Sequence, residues 1–169
     1  MTVPVERKSG NIVRSINKFI EDNFSTPNSI DTNFQDSLFD NRDKDLWLDV
    51  KILKHGAGRL SETMVQLDVY SRVRGDEDDG DQMGADLIDA ADKLHAAMHV
   101  DRIQLYDFTT PASPTPVASR VLMVQNSAGK FREPEDDTDV VYEAGVIRRS
   151  LTYRFRLPSD ASASPAYYD

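Results

Sequence analysis

From Asn11 to Phe24 the apolar residues Ile12, Val13, Ile16, Phe19 and Ile20 recur every three or four positions, with Arg14, Lys18 and Glu21 between them. That spacing places the apolar set on one side of a helix and predicts an amphipathic α-helix. The stretch from Ser25 to Lys44 follows neither the helical nor the strand period. It carries Pro27, several Asn and Asp residues, and isolated Phe34, Leu38 and Phe39, and reads as a loop pinned by aromatics. At Leu46 the period changes to two: Leu46, Leu48, Val50 and Ile52 fall on one face, and Trp47, Asp49 and Lys51 on the other. This is the signature of a half-buried strand. After His55-Gly56-Ala57-Gly58, the residues Val65, Leu67, Val69 and Val73 alternate with Gln66, Asp68, Tyr70 and Arg72, predicting a second strand paired antiparallel to the first.

An acidic run from Asp76 to Asp81 precedes a second predicted helix, whose apolar stripe is Met83, Leu87, Ala91, Leu94 and Met98. Negative charge at that end complements the helix dipole. Three extended segments follow, from Ile103 to Phe108, from Val117 to Gln125 and from Val140 to Leu157. In the last, Ile147, Leu151, Tyr153, Phe155 and Leu157 share a face. The order α-β-β-α-β-β-β predicts an α+β fold, a mainly antiparallel sheet flanked by two principal helices, because each element needs the other type to cover its apolar face.

At 169 residues the chain fits one domain, expected over residues 1–157. Residues 158–169, PSDASASPAYYD, are too small and polar to offset their ordering entropy and read as a flexible tail that orders against a partner. The 29 acidic residues outnumber the 20 basic ones, for a net charge of −9, which argues against a protein that grips nucleic acid by neutralising phosphates. The absence of cysteine removes disulfides, thiolate nucleophiles and cysteine zinc sites, and fits folding in a reducing cytoplasm. The N-terminal MTVPVERKSG lacks the apolar core of a signal peptide, and no stretch approaches the roughly 18 apolar residues of a spanning helix, so no membrane partner is expected.

Catalytic chemistry finds no footing. His95 and His99 lie four apart, at metal-sharing distance on a helix, but the intervening AAM lacks the glutamate of a zinc-protease motif and only Asp92 or Asp101 stands near as a third ligand. The acidic runs Asp76, Glu77, Asp78, Asp79 and Glu133, Glu135, Asp136, Asp137 lack the alternation and glycine of a calcium loop. No phosphate-cradling glycine motif or GxSxG elbow occurs. The expectation is a non-enzyme with no catalytic residues, no metal and no cofactor. The informative segment is the last strand, where Arg148, Ser150, Thr152, Arg154 and Arg156 alternate opposite its apolar face. One reading is a solvated sheet face. The other is that these arginines meet the acidic runs of a neighbouring copy through directional arginine–carboxylate pairs.

The block WLDVKILKHGAGRLSETMVQLDVYSRVRGDEDDGDQMGADLIDAADKLHAAM and the closing GVIRRSLTYRFR resemble the tail terminator proteins of long-tailed bacteriophages, a likeness of element order covering most of Asn11 to Leu157. The segments from Ser25 to Lys44 and from Asn126 to Asp139 are longer than the family's minimal core. The resemblance implies a structural virion protein assembled in the host cytoplasm: a subunit of a six-membered ring that caps the head-proximal end of the tail tube, ends its polymerisation and joins it to the neck. Its implied partners are other copies, the tail tube protein, neck and head–tail connector proteins and the sheath, with DNA passing transiently through the lumen. Interface candidates are Arg148, Arg154 and Arg156, then Asp76, Glu77, Asp78, Asp79, Glu133, Glu135 and Asp136 of the acidic runs, and Tyr167 and Tyr168 in the tail. Two other readings stay open: a head completion or connector adaptor protein of the neck, and a small ligand-binding or hydrolytic α+β domain built around His95, His99 and Asp101.

Overall fold

The computed structural model describes residues 9–35, 44–56, 61–72, 80–143 and 145–157, so the tail from residue 158 and the acidic run at 76–79 lie outside the described residues. Helix α1 spans Ser9–Ile20 and continues through a wider π turn, Glu21–Ser25, into a short turn of helix, α2, at Thr26–Asn28. Ile12, Ile16, Ile20 and Phe24 are all buried along this run. Their constant spacing of four drifts around a 3.6-residue helix, and the wider π turn brings Phe24 back over the core. The carboxamides of Asn23 and Asn28 each donate to the carbonyl four residues earlier, at 2.8 Å to Phe19 and 2.7 Å to Phe24. Ser29 ends the segment in the left-handed region, φ 54°.

The strands are β1 (Asp31–Phe34), β2 (Leu46–Gly56), β3 (Ser61–Arg72), β4 (Arg102–Asp107), β5 (Thr115–Val124), β6 (Asp136–Glu143) and β7 (Val146–Leu157), and helix α3 (Gly80–Met98) joins β3 to β4. They form one sheet in the order β1-β2-β3-β7-β5-β4, with β6 also on β7. The β1–β2 ladder is parallel; the other ladders are antiparallel. Strand β7 is the spine. It pairs with β3 along its whole length, from Ser61↔Leu157 to Arg72↔Val146. On its other side β6 holds the first half and β5 the end.

Helices α1 and α3 cover one face. The core there brings together Leu48, Val50, Val65, Leu67 and Val69 of β2 and β3, Leu87, Ala91, Leu94 and Met98 of α3, and Ile147, Leu151, Tyr153 and Phe155 of β7. The mixed α and β composition with the expected two long helices is as the periodicity indicates. Two features differ from expectation. Part of the Ser25–Lys44 segment is ordered, since β1 pairs with β2 from Asp31↔Trp47 to Phe34↔Val50. The stretch from Val140 to Leu157 is a hairpin rather than one strand, reversing at Gly145, whose φ of 78° suits glycine. Both strands of that hairpin have apolar residues near the turn, so periodicity alone runs them together.

Candidate functional site: the outer face of the sheet

The sheet face turned away from the helices is polar and, at its centre, buried. Register fixes which side chains meet there: Arg148 lies opposite Tyr70, Ser150 opposite Asp68, Thr152 opposite Gln66, Arg154 opposite Met64 and Arg156 opposite Glu62. On β2, Trp47, Asp49 and Lys51 extend the same face across to Tyr70, Asp68 and Gln66. Trp47 and Asp49 stand on the alternation expected to face solvent, yet they are 3% and 6% exposed. They are covered because this face is itself a packed layer of rings and ion pairs.

Its centre is Asp68, which is fully buried. Lys51 Nζ donates to its Oδ2 at 2.6 Å, while Gln66 Nε2 and the Ser150 hydroxyl donate to Oδ1 at 2.7 and 2.5 Å. Arg148 approaches the same oxygen to 3.6 Å and donates to the Ser150 hydroxyl at 3.3 Å. Burial alone would push the carboxyl pKa up, but the donors from Lys51, Ser150 and Gln66 outweigh it and hold it below the usual carboxylate range. Burial likewise works against the Lys51 ammonium, and the Asp68 carboxylate beside it more than compensates, so its pKa is raised. Next to this centre Asn33 Nδ2 donates to Asp49 Oδ1 at 2.9 Å, tying β1 to β2.

Two aromatic rings flank the centre. Trp47 and Tyr70 stack with centroids 5.0 Å apart and planes 7° from parallel. The Arg72 guanidinium stands 5.8 Å from the Trp47 ring and the Lys51 ammonium 5.9 Å from the Tyr70 ring. Together with Asp49 and Val146 these side chains line a cleft of about 360 Å³.

Towards the end of β7, the remaining arginines are clamped. Arg154 lies 3.4 Å from Glu62 and 3.3 Å from Glu135, and Arg156 lies 3.9 Å from Glu62 and donates to Gln125 at 3.4 Å. Their side chains are only 15% and 27% exposed. Glu135 also accepts from the Ser127 backbone N–H at 2.7 Å, and the Ser127 side chain first, then this backbone bond and the nearby Arg154 and Arg156, hold its pKa low against burial. Arginine and acidic run therefore meet within one chain: Glu135 is spent on Arg154, so this pair does not require a neighbouring copy.

The other sequence candidates separate. Asp136 and Glu133 are exposed, whereas Asp137, one residue on, turns to the helix side and binds Arg149 at 3.0 and 3.2 Å. Asp76, Glu77, Asp78, Asp79, Tyr167 and Tyr168 lie outside the described residues. His95 Nδ1 sits 3.1 Å from the hydroxyl of buried Tyr153, whose pKa is raised mainly by burial. Asp92 faces Arg149 at 3.5 Å, and Asp101 is held by Arg132 through both oxygens. The His95 and His99 rings lie 6.1 Å apart, the Asp101 carboxylate is taken up by Arg132, and no group of three or more His, Asp or Glu placed for a metal occurs among the described residues. Sequence reasoning missed Glu62 and Asp68 as partners of the arginine row, and Lys51 as a further donor to Asp68. Their alternation on β2 and β3 was visible; that β3 lies beside β7, far along the chain, was not.

No described helix is long and apolar enough to cross a membrane. No family model and no curated protein matches the chain. A solved structure that carries no functional description is similar in fold, with a TM-score of 0.56 at 12% identity, over 89% of this chain and 96% of that one.

Proposed function

We propose that this chain is a non-enzymatic structural subunit that works by assembling into a ring, as a tail terminator that caps the tail tube, ends its polymerisation and joins it to the neck. The observation that carries the reading is the outer face of the sheet. There the arginines of β7 are fixed by carboxylates from β3 and from the segment before β6, and the central carboxylate is saturated with donors. Such a face is rigid and already neutralised. It suits a docking wall or lumen past which DNA moves without sticking, and it has none of the unpaired, pKa-separated acids that proton-transfer catalysis uses. The mixed sheet with α1 and α3 on one face agrees with the α+β class that the resemblance to tail terminators implies, although β1 and the separate strand β6 are additions to the expected element order.

The test is the mass and shape of the purified full-length chain. A closed ring of six 19.0 kDa subunits with an open lumen, seen by native mass spectrometry and negative-stain microscopy, is the expected result. A monomer at all concentrations overturns the ring reading.

A further inference from the structure

Among the described residues, the outer strands β4 and β1 are each engaged by the N-terminal helical segment, and β6 is not. At β4, the Ser15 hydroxyl accepts from the Tyr106 N–H at 2.9 Å and Asn11 Oδ1 accepts from the Phe108 N–H at 3.1 Å, so α1 seals that edge with side chains. At the opposite end β1 is only four residues long and its Thr32 hydroxyl meets Ser25 of the π turn at 2.5 Å. Strand β6 has neither protection. Its only ladder among the described residues is with β7, and Val140, Val141 and Tyr142 are 37%, 38% and 80% exposed. Three consecutive exposed apolar residues on an unpaired edge are what natural sheets avoid unless another strand or surface covers them.

The register shifts between Thr138 and Val141, which turns Val141 towards the outer face, opposite Arg148, and Tyr142 towards the helix side, opposite Ile147. Tyr142 therefore lies on the face of the sheet that carries α3, the helix on which Ile88 is 47% exposed and Asp92 meets Arg149.

We infer that the open edge of β6, with Val140, Val141 and Tyr142, is the surface that receives a second copy of this chain, docked head to tail. The deduction rests on the ring reading above and adds which surface closes the ring. Charge decides the geometry. The edge strand carries Asp136 and Asp139, both exposed, so two β6 strands laid against each other would bring like charges together. A different surface of the neighbour must therefore cover the edge, and the chain supplies exposed cations for it at Arg14, Arg102 and Lys130. Unlike faces joined head to tail close a ring, whereas like faces make only a two-fold pair.

The experiment compares wild type with the double variant V140E/Y142E and with the single-cysteine variant Y142C, made in a chain that has no cysteine of its own. Wild type forms a ring. V140E/Y142E stays folded by circular dichroism, since Tyr142 is 80% exposed and Val140 lies at the sheet's edge, but runs as a monomer, with association weakened about a hundredfold. Y142C assembles without forming a 142–142 disulfide under oxidation. A ring that survives V140E/Y142E overturns the inference while leaving the ring reading in place. Quantitative 142–142 disulfide overturns the head-to-tail geometry. Monomeric wild type overturns both.

Discussion

Replacing Asp68 by Asn tests whether the outer face is held by its central charge or merely by shape. The amide has the same outline, so packing is preserved, but one acceptor oxygen becomes a donor facing Lys51 or the Gln66 and Ser150 pair. Three donors lie within 2.7 Å of the carboxylate in the wild type. Hydrogen bonds to a charged group contribute about 1.5–3 kcal/mol each. Lys51 is 43% exposed and can turn its head to water, so its share is discounted, and the amide still accepts at one oxygen. The expected cost is about 3 kcal/mol at neutral pH, a fall in melting temperature of about 6–12 °C for a domain of this size. Because the folded carboxyl is held below its ordinary value, its contribution is present above the unfolded pKa of about 3.9 and is lost as pH falls through the folded one. Urea unfolding of both proteins at pH 7 and at successively lower pH measures this directly. The gap should be full at pH 7 and narrow below about pH 4. A gap under about 0.5 kcal/mol at pH 7, or one that widens as pH falls, refutes the reasoning.

Other outcomes follow from the same geometry. Ser15→Ala removes the acceptor for the Tyr106 N–H at the β4 edge and should destabilise the chain by about 1–3 kcal/mol in denaturant melts; no change would mean that water reaches that edge. Ile16→Ala empties a fully buried position on α1 and should cost about 2–5 kcal/mol. Deleting residues 158–169 should leave the melting temperature of the domain unchanged yet weaken assembly, because that segment is too polar for the core; loss of folded protein would contradict this.

Much of this fold is legible along the chain. The isoleucines of α1, the alternation in β2 and β3, and the Leu87–Leu94–Met98 stripe of α3 each carry their element's period over enough residues to be read locally. Strand β1 is not legible, because Asp31-Thr32-Asn33-Phe34 has a single aromatic and gains its place from the Asn33–Asp49 hydrogen bond. The hairpin β6–β7 is hidden because apolar residues on both sides of its turn, Val140 to Tyr142 and Val146 to Ile147, read as one extended segment. The arginine row of β7 is visible as an alternation, but its partners are not: Glu62 and Asp68 lie roughly eighty or more residues upstream, and only the adjacency of β3 to β7 brings them opposite. Glu135 was visible as part of an acidic run, and its pairing within the chain, rather than across an interface, depends on the Ser127 turn that aims it at Arg154. Local period reports elements; contact between distant elements is a property of topology.

The most direct test of the central claim is electron microscopy of particles from a phage carrying a nonsense mutation in this gene, scored for tail length and head filling. Filled heads beside overlong or unattached tails are the predicted result. Tails of normal length with emptied heads would instead indicate a connector role, and intact virions would contradict a structural role in the tail altogether.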